Sequence, residues 1–337
     1  MGMVRRDTTI AVMRAIGLML IILAHVSPPN ILFQLRTFDV PMMLFVSGMS
    51  YFIAAKKNVS LVPYVISRFK RLVLPAWIFI TIFFICIFVF NPEGFSNVRK
   101  LSVVVSSYAL NGFGYFWIIR IFLIIAVLSP FFVKITDGSN ARALIITIAM
   151  LLLASFMSLT GKGNGIVGKL LEQIVIPTLS YGAAFIIGYK WLSLQDRDRI
   201  KVFIISAFVC LAFLMAGYII KGTFSYPQDF KYPPSLYFIA YSFAVSIPIY
   251  FIISKVQINS YCGSSILLFI SSNTIWIYLW HIPIVEYFNR NDSEVNFVLK
   301  YAVAFFIPAL IVSVQVYLVK NAIIRNEKMK FLNVFRG

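Results

Sequence analysis

Ten stretches of this chain stay apolar for close to the roughly 20 residues that a helix needs to cross a bilayer. They cover about residues 8–26, 38–55, 72–90, 114–133, 142–160, 171–190, 200–220, 236–254, 265–288 and 298–319. With water absent from the bilayer core, backbone polar groups must be satisfied inside each segment, and helices do that. The expected fold is therefore all-α: a polytopic transmembrane helical bundle of about ten spans. Composition agrees. Sixty per cent of the 337 residues are hydrophobic and only 12% are charged, where a soluble domain carries about 25% charge. Residues 1–337 read as one integral membrane domain with no appended soluble domain.

The formal net charge is +18. In a soluble protein that would point to nucleic acid. Here the cations lie in short loops between apolar runs, where Lys and Arg set orientation, and no nucleic acid is expected. With both termini in the cytoplasm, the inner segments hold roughly twice as many Lys and Arg as the outer ones. The first apolar run lacks a convincing small-residue cleavage site and reads as a retained helix. The expected location is the inner, cytoplasmic membrane, crossed many times. Cys86, Cys210 and Cys262 are scattered, so neither a disulfide framework nor a metal spacing emerges, and no metal is expected. The longest outer loop, about 91–113, contains "LSVVVSSYAL", which reads as a re-entrant or interfacial helix.

Within this apolar background a few polar residues carry a cost. "AVMRAIGLMLIILAHVSPPN" runs from Ala11 to Asn30, with Arg14 near its start and His25 near its end. On a continuous helix, eleven residues make three turns plus about 20°, so both side chains would share one face, about 16 Å apart along the axis. Each alone is explained by snorkelling or by a wet interface. Together they suggest a polar stripe facing the bundle interior or a cavity. Asp39 opens the second span, at a depth similar to His25 across a short loop. It suits either an imidazole-orienting carboxylate or a helix N-cap before Val40 and Pro41. Ser47 and Gly48 read as a close-packing pair.

Further along, "RFKRLVLPAW" places Arg68 and Arg71 three residues apart on an inner loop, on one helix face if helical. Guanidinium forks match phosphates, although such cations also serve as simple topology anchors. Arg120 lies inside the fourth span and needs a partner or a cavity. His281 lies in the ninth span with Glu286 five residues on, and packing is the commoner role for such a histidine. Glu172 is an outlying candidate.

The Arg14–His25 spacing, "VPMMLFVSGMSYF", "RFKRLVLPAW", "FWIIRIFLIIAVLSPFF" and "IYLWHIPI" occur in an order that resembles the acyltransferase-3 family of integral membrane acyltransferases. The first 77 residues carry the most specific part. The resemblance implies transfer of an acyl group, mostly acetyl and sometimes succinyl, from cytoplasmic acyl-coenzyme A to a glycan or lipid-linked saccharide outside. It implies functional roles for Arg14 and His25 and donor binding by Arg68 and Arg71; Asp39 matches only by position and chemistry. His25 would serve as general base, because an imidazole titrates near neutrality. No Ser or Cys stands out as an acyl carrier, which favours direct transfer. The competing reading is a transporter or flippase for a glycan or lipid-linked sugar, since intramembrane Arg, His and Asp suit that equally.

Overall fold

A computed structural model describes residues 8–54, 60–160, 165–256, 264–291 and 294–336. Lys56, Lys57 and Cys262 lie outside the described residues. The described residues form α-helices and short 3₁₀ or π turns, without a β-strand. The all-α membrane bundle expected from the sequence is thus what forms.

Helices run in the order α1 (Thr8–Leu23), α2 (Asn30–Leu35), α3 (Asp39–Ile53), α4 (Leu61–Phe90), α5 (Leu101–Tyr108), α6 (Trp117–Thr136), α7 (Asn140–Thr160), α8 (Ile166–Leu170), α9 (Ile176–Trp191), α10 (Asp196–Lys221), α11 (Leu236–Lys255), α12 (Ser264–Ser272), α13 (Thr274–Asn291) and α14 (Phe297–Arg325). Among the described residues seven helices are long and apolar enough to span, and α12 with α13, bent by 79° at their break, brings the number to eight if the pair is counted as one span. The first two expected spans are shorter: α1 has 16 residues and α3 has 15. Pro28 and Pro29 cannot donate backbone hydrogen bonds, so the chain leaves the helix before them.

The third span begins earlier than its apolar run suggested. α4 is 30 residues long, about 45 Å, against a hydrocarbon core of about 30 Å. Its first turns carry Arg68 and Arg71 on regular helix rather than on a loop. Pro63 is tolerated there because the first helical turn has spare N–H groups. The "LSVVVSSYAL" segment folds as α5, held to α4 by Trp77 Nε1–H donating to the Tyr108 carbonyl at 2.8 Å.

The chain divides into two compact units. The first comprises residues 1–17, 30–59 and 127–264, and the second residues 18–29, 60–126 and 265–337. Within the first, α9 and α11 are inner helices and α10 is an outer one: 56% of the apolar windows of α9 and α11 are buried, against 17% for α10. α3 and α9 approach backbone to backbone. A Cβ on Gly48 would sit 2.1 Å from the Phe185 carbonyl oxygen, and one on Gly188 would sit 1.9 Å from that of Phe45. Small residues permit such contact in membranes, where dispersion and close packing replace the hydrophobic drive. Phe45 then meets Trp191 edge-on at 5.0 Å.

Within the second unit, α4, α13 and α14 pack together with the 3₁₀ segment Glu327–Phe335. Phe79 meets Trp280 at 5.7 Å, and Trp280 Nε1–H donates to Gln315 Oε1 at 3.1 Å. Gln315 in turn donates to the Phe335 carbonyl, and Trp276 to the Val334 carbonyl. The bend before α13 lies at Asn273, whose side-chain amide donates to the Phe269 carbonyl at 2.8 Å. Such local bonding competes with the helix ladder.

Candidate active site

His25 lies on the turn that follows α1. Its backbone N–H bonds the Ile22 carbonyl at 3.0 Å, three residues back, so the chain has tightened past regular helix. The count of 100° per residue from Arg14 therefore does not run unbroken to His25. Nδ1 of the imidazole sits 2.8 Å from the Ile21 carbonyl oxygen. A carbonyl only accepts, so the proton is on Nδ1 and the Nε2 lone pair is the basic position.

The second unit gathers polar groups around this ring. His25 packs 4.8 Å from the Tyr115 ring and 5.3 Å from the His281 ring, centroid to centroid. The Tyr115 hydroxyl donates to Glu286 Oε1 at 2.6 Å. Glu286 Oε2 accepts from Arg290 Nε at 2.8 Å and lies 2.7 Å from its Nη2. Arg290 also donates to the Gly94 carbonyl and lies 4.4 Å over the Phe95 ring. The Tyr278 hydroxyl donates to the Tyr115 carbonyl at 2.5 Å. His281 closes the set, with Nδ1 bonded to the Tyr278 carbonyl. Burial, with the Glu286 carboxylate beside it, holds the Tyr115 phenol well above the ordinary phenol range. It remains a hydrogen-bond donor throughout the physiological range.

Tyr115, Tyr278 and Arg290 were not candidates on sequence. An i,i+4 Glu–Arg pair on the ninth span was the one visible signal, and it points to helix support rather than to a site. Tyr115 stood out only as one aromatic among many.

Arg14 and Asp39 belong to the first unit. The Arg14 guanidinium donates to Ser50 Oγ at 2.8 Å, and the Ser50 hydroxyl donates to the Val46 carbonyl at 2.9 Å. Ser50 thus spends its own proton on the backbone and presents a lone pair to Arg14. Asp39 opens α3, while Phe38 holds the N-cap position. Asp39 Oδ2 accepts from Arg36 Nη1 at 2.6 Å, and Oδ1 accepts the Val40 N–H at 2.7 Å and lies 3.7 Å from Lys231 Nζ. Both cations and the carboxylate are almost fully buried. Burial lowers the Lys231 ammonium from its usual range, and Asp39 opposes that shift.

Arg68 and Arg71 stand one turn apart on α4. The Arg68 guanidinium lies 4.8 Å over the Tyr64 ring, and its Nε is buried without a hydrogen-bond partner. Arg71 is exposed. Arg120 is half-buried near the start of α6, with its Nε likewise unpartnered. Glu172 is exposed on a π turn, Leu171–Val175.

The second unit thus holds an oriented imidazole against a buried polar network and, separately on α4, two arginines one turn apart. That inventory suits transfer chemistry at a membrane. No curated protein and no solved structure matches the chain. The acyltransferase-domain model of the acyltransferase-3 family matches residues 7–318. With the match running over nearly the whole length of a helical membrane bundle, the chain belongs to that family of membrane acyltransferases.

Proposed function

We propose that the protein transfers an acyl group, acetyl in the first instance, from cytoplasmic acyl-coenzyme A to a hydroxyl of a glycan or lipid-linked saccharide outside the cytoplasmic membrane. His25 is the general base. The observation that carries this reading is the 2.8 Å bond from His25 Nδ1 to the Ile21 carbonyl, which leaves the lone pair on Nε2. A placed base contributes about 10²–10⁴-fold to rate.

In the transfer, the acceptor oxygen forms the new bond to the acyl carbon as its proton passes to His25 Nε2. The carbon–sulfur bond breaks and its electron pair leaves on the coenzyme sulfur, which takes up a proton to become the thiol. Arg68 and Arg71 bind coenzyme phosphates from the first turns of α4, consistent with a helix face that carries two guanidinium forks. Arg14, held by Ser50 in the first unit, keeps the role with the anionic donor that the family resemblance implies. Arg120 adds a further cation to the acyl path.

The test uses membranes containing the wild-type protein and His25→Ala at equal level, supplied with labelled acetyl-coenzyme A. Label should enter glycan with the wild type and fall to background with the variant. Movement of intact glycan without any need for the coenzyme would instead identify a transporter. A cysteine placed at Ile31 in a cysteine-free background should react with an impermeant reagent from outside.

A further inference from the structure

The last carbonyls of a helix have no partner within it, and at membrane depth such groups must be met by protein. The 3₁₀ segment Glu327–Phe335 shows how that is done here. Asn326 caps its start, its side chain accepting from the Lys328 N–H at 3.0 Å. The chain then runs back along α14. Trp276 Nε1–H donates to the Val334 carbonyl at 2.9 Å, and Gln315 Nε2–H donates to the Phe335 carbonyl at 2.7 Å. Gln315 stands ten residues before Arg325, the last residue of α14, which is about 15 Å along the axis. The Phe335 ring stacks on Trp276, 5.4 Å away and 20° from parallel.

These contacts set the height of the segment in the second unit. α4 and α13 run parallel: Phe79 meets Trp280, and further along Arg290 reaches the Gly94 carbonyl, just past the end of α4. Arg68 covers Tyr64, which is buried as Phe79 is, so Arg68 stands on the inward face of α4. It lies 11 residues before Phe79, about 16 Å. Trp276 lies four residues before Trp280, about 6 Å. The latch at Trp276 is therefore between the level of Arg68 and that of His281, whose ring is 5.3 Å from the His25 ring. All of these residues belong to the second unit.

We infer that Trp276 and Gln315 form the subsite for the amide-bearing arm of acyl-coenzyme A, and that Glu327–Phe335 occupies it until the donor arrives. This rests on the reading of the protein as a coenzyme A-dependent transferase with Arg68 at the phosphates. The arm between the coenzyme's phosphates and its sulfur contains two amides in series. It thus offers carbonyl acceptors along an extended chain, as a peptide does. A buried N–H left without an acceptor costs free energy. A ligand that brings its own carbonyls displaces the segment without stranding the indole and amide donors, because each exchanges one carbonyl for another. Trp280 Nε1–H holds Gln315 Oε1 at 3.1 Å, so the Gln315 amide keeps its N–H group turned toward whichever carbonyl is present. The Trp276 ring face, released by Phe335, covers the methylenes of the arm. With its phosphates at Arg68, the arm passes Trp276 on the way to His281 and His25.

The test uses the full-length protein in detergent and two probes. One is coenzyme A. The other is adenosine 3′,5′-bisphosphate, which keeps nucleotide and phosphate but has no arm. Hydrogen exchange read by mass spectrometry should quicken across Glu327–Phe335 when coenzyme A binds and stay unchanged with the bisphosphate. Phe335→Ala removes the stack and loosens the segment, so coenzyme A affinity should rise about 2–10-fold while bisphosphate affinity holds. Adding Gln315→Leu to Phe335→Ala should lower coenzyme A affinity again, by about 2–10-fold. Coenzyme A binding with unchanged or slower exchange in the segment would overturn the inference and make Glu327–Phe335 a fixed wall. Faster exchange with both probes would also overturn it, by assigning the displacement to the phosphates. Should Phe335→Ala fail to fold, exchange in the wild type decides. If the wild type binds neither probe, the donor reading itself fails and the inference with it.

Discussion

The Tyr115 hydroxyl donates to Glu286 Oε1 at 2.6 Å, with Arg290 on the other carboxylate oxygen. This bond joins the segment before α6 to α13 and fixes the aromatic wall beside His25. Tyr115→Phe should cost about 1.5–3 kcal/mol, the usual worth of a hydrogen bond to a charged group. Thermal unfolding of both forms in detergent measures it. An unchanged midpoint would show the bond to be dispensable. The sign of the pH dependence follows from the raised phenol pKa. Its stabilising contribution is complete below the unfolded value of about 10 and declines as pH rises beyond it. The gap between wild type and variant should thus be constant from neutral pH to about 10 and narrow above.

Asp39 is the counter-charge to two buried cations. Asp39→Asn leaves Arg36 and Lys231 without it, and removing one partner of a buried ion pair costs about 3–5 kcal/mol. The variant should unfold well below the wild type. A variant of full stability that has lost turnover would instead assign the carboxylate to the chemistry, as the orienting role expected beside His25 would require.

Gly188 touches the Phe45 carbonyl through the position a Cβ would occupy. Gly188→Ala must push α3 and α9 apart. Overpacking of this kind costs about 1–3 kcal/mol or more. Lower thermal stability and lower yield in detergent are expected, whereas wild-type stability would mean that the two backbones are not in contact.

Arg68 and Arg71 can be tested as donor ligands. Replacing both with Ala should weaken acetyl-coenzyme A binding by about 1.5–3 kcal/mol for each charge-assisted hydrogen bond removed. Lys at both positions should restore only part, because the planar fork is gone. Equal donor affinity in wild type and double variant, read by titration calorimetry at equal protein quality, would reduce the pair to a topology anchor.

Sequence periodicity alone fixed the class of this protein. Apolar runs near bilayer length admit few folds, because each run must satisfy its own backbone in lipid. The same logic made Arg14, His25, Arg120 and His281 conspicuous, since a polar side chain within such a run has to be accounted for. Tertiary structure decided which of these residues meet. His25 and His281 stand far apart along the chain, and only packing within the second unit brings their rings to 5.3 Å. Tyr115 carried no local mark and Glu286 only its spacing to His281 and Arg290, because a phenol and a carboxylate look like interfacial residues until the fold joins them. The ends of helices were also decided late. Apolar length says how far a helix could run. Where it stops depends on prolines and local bonds, such as those that close α1 before Pro28 and place His25 on a turn. A hydrogen bond demands two groups within a fraction of an ångström, and sequence spacing constrains that only inside one helix.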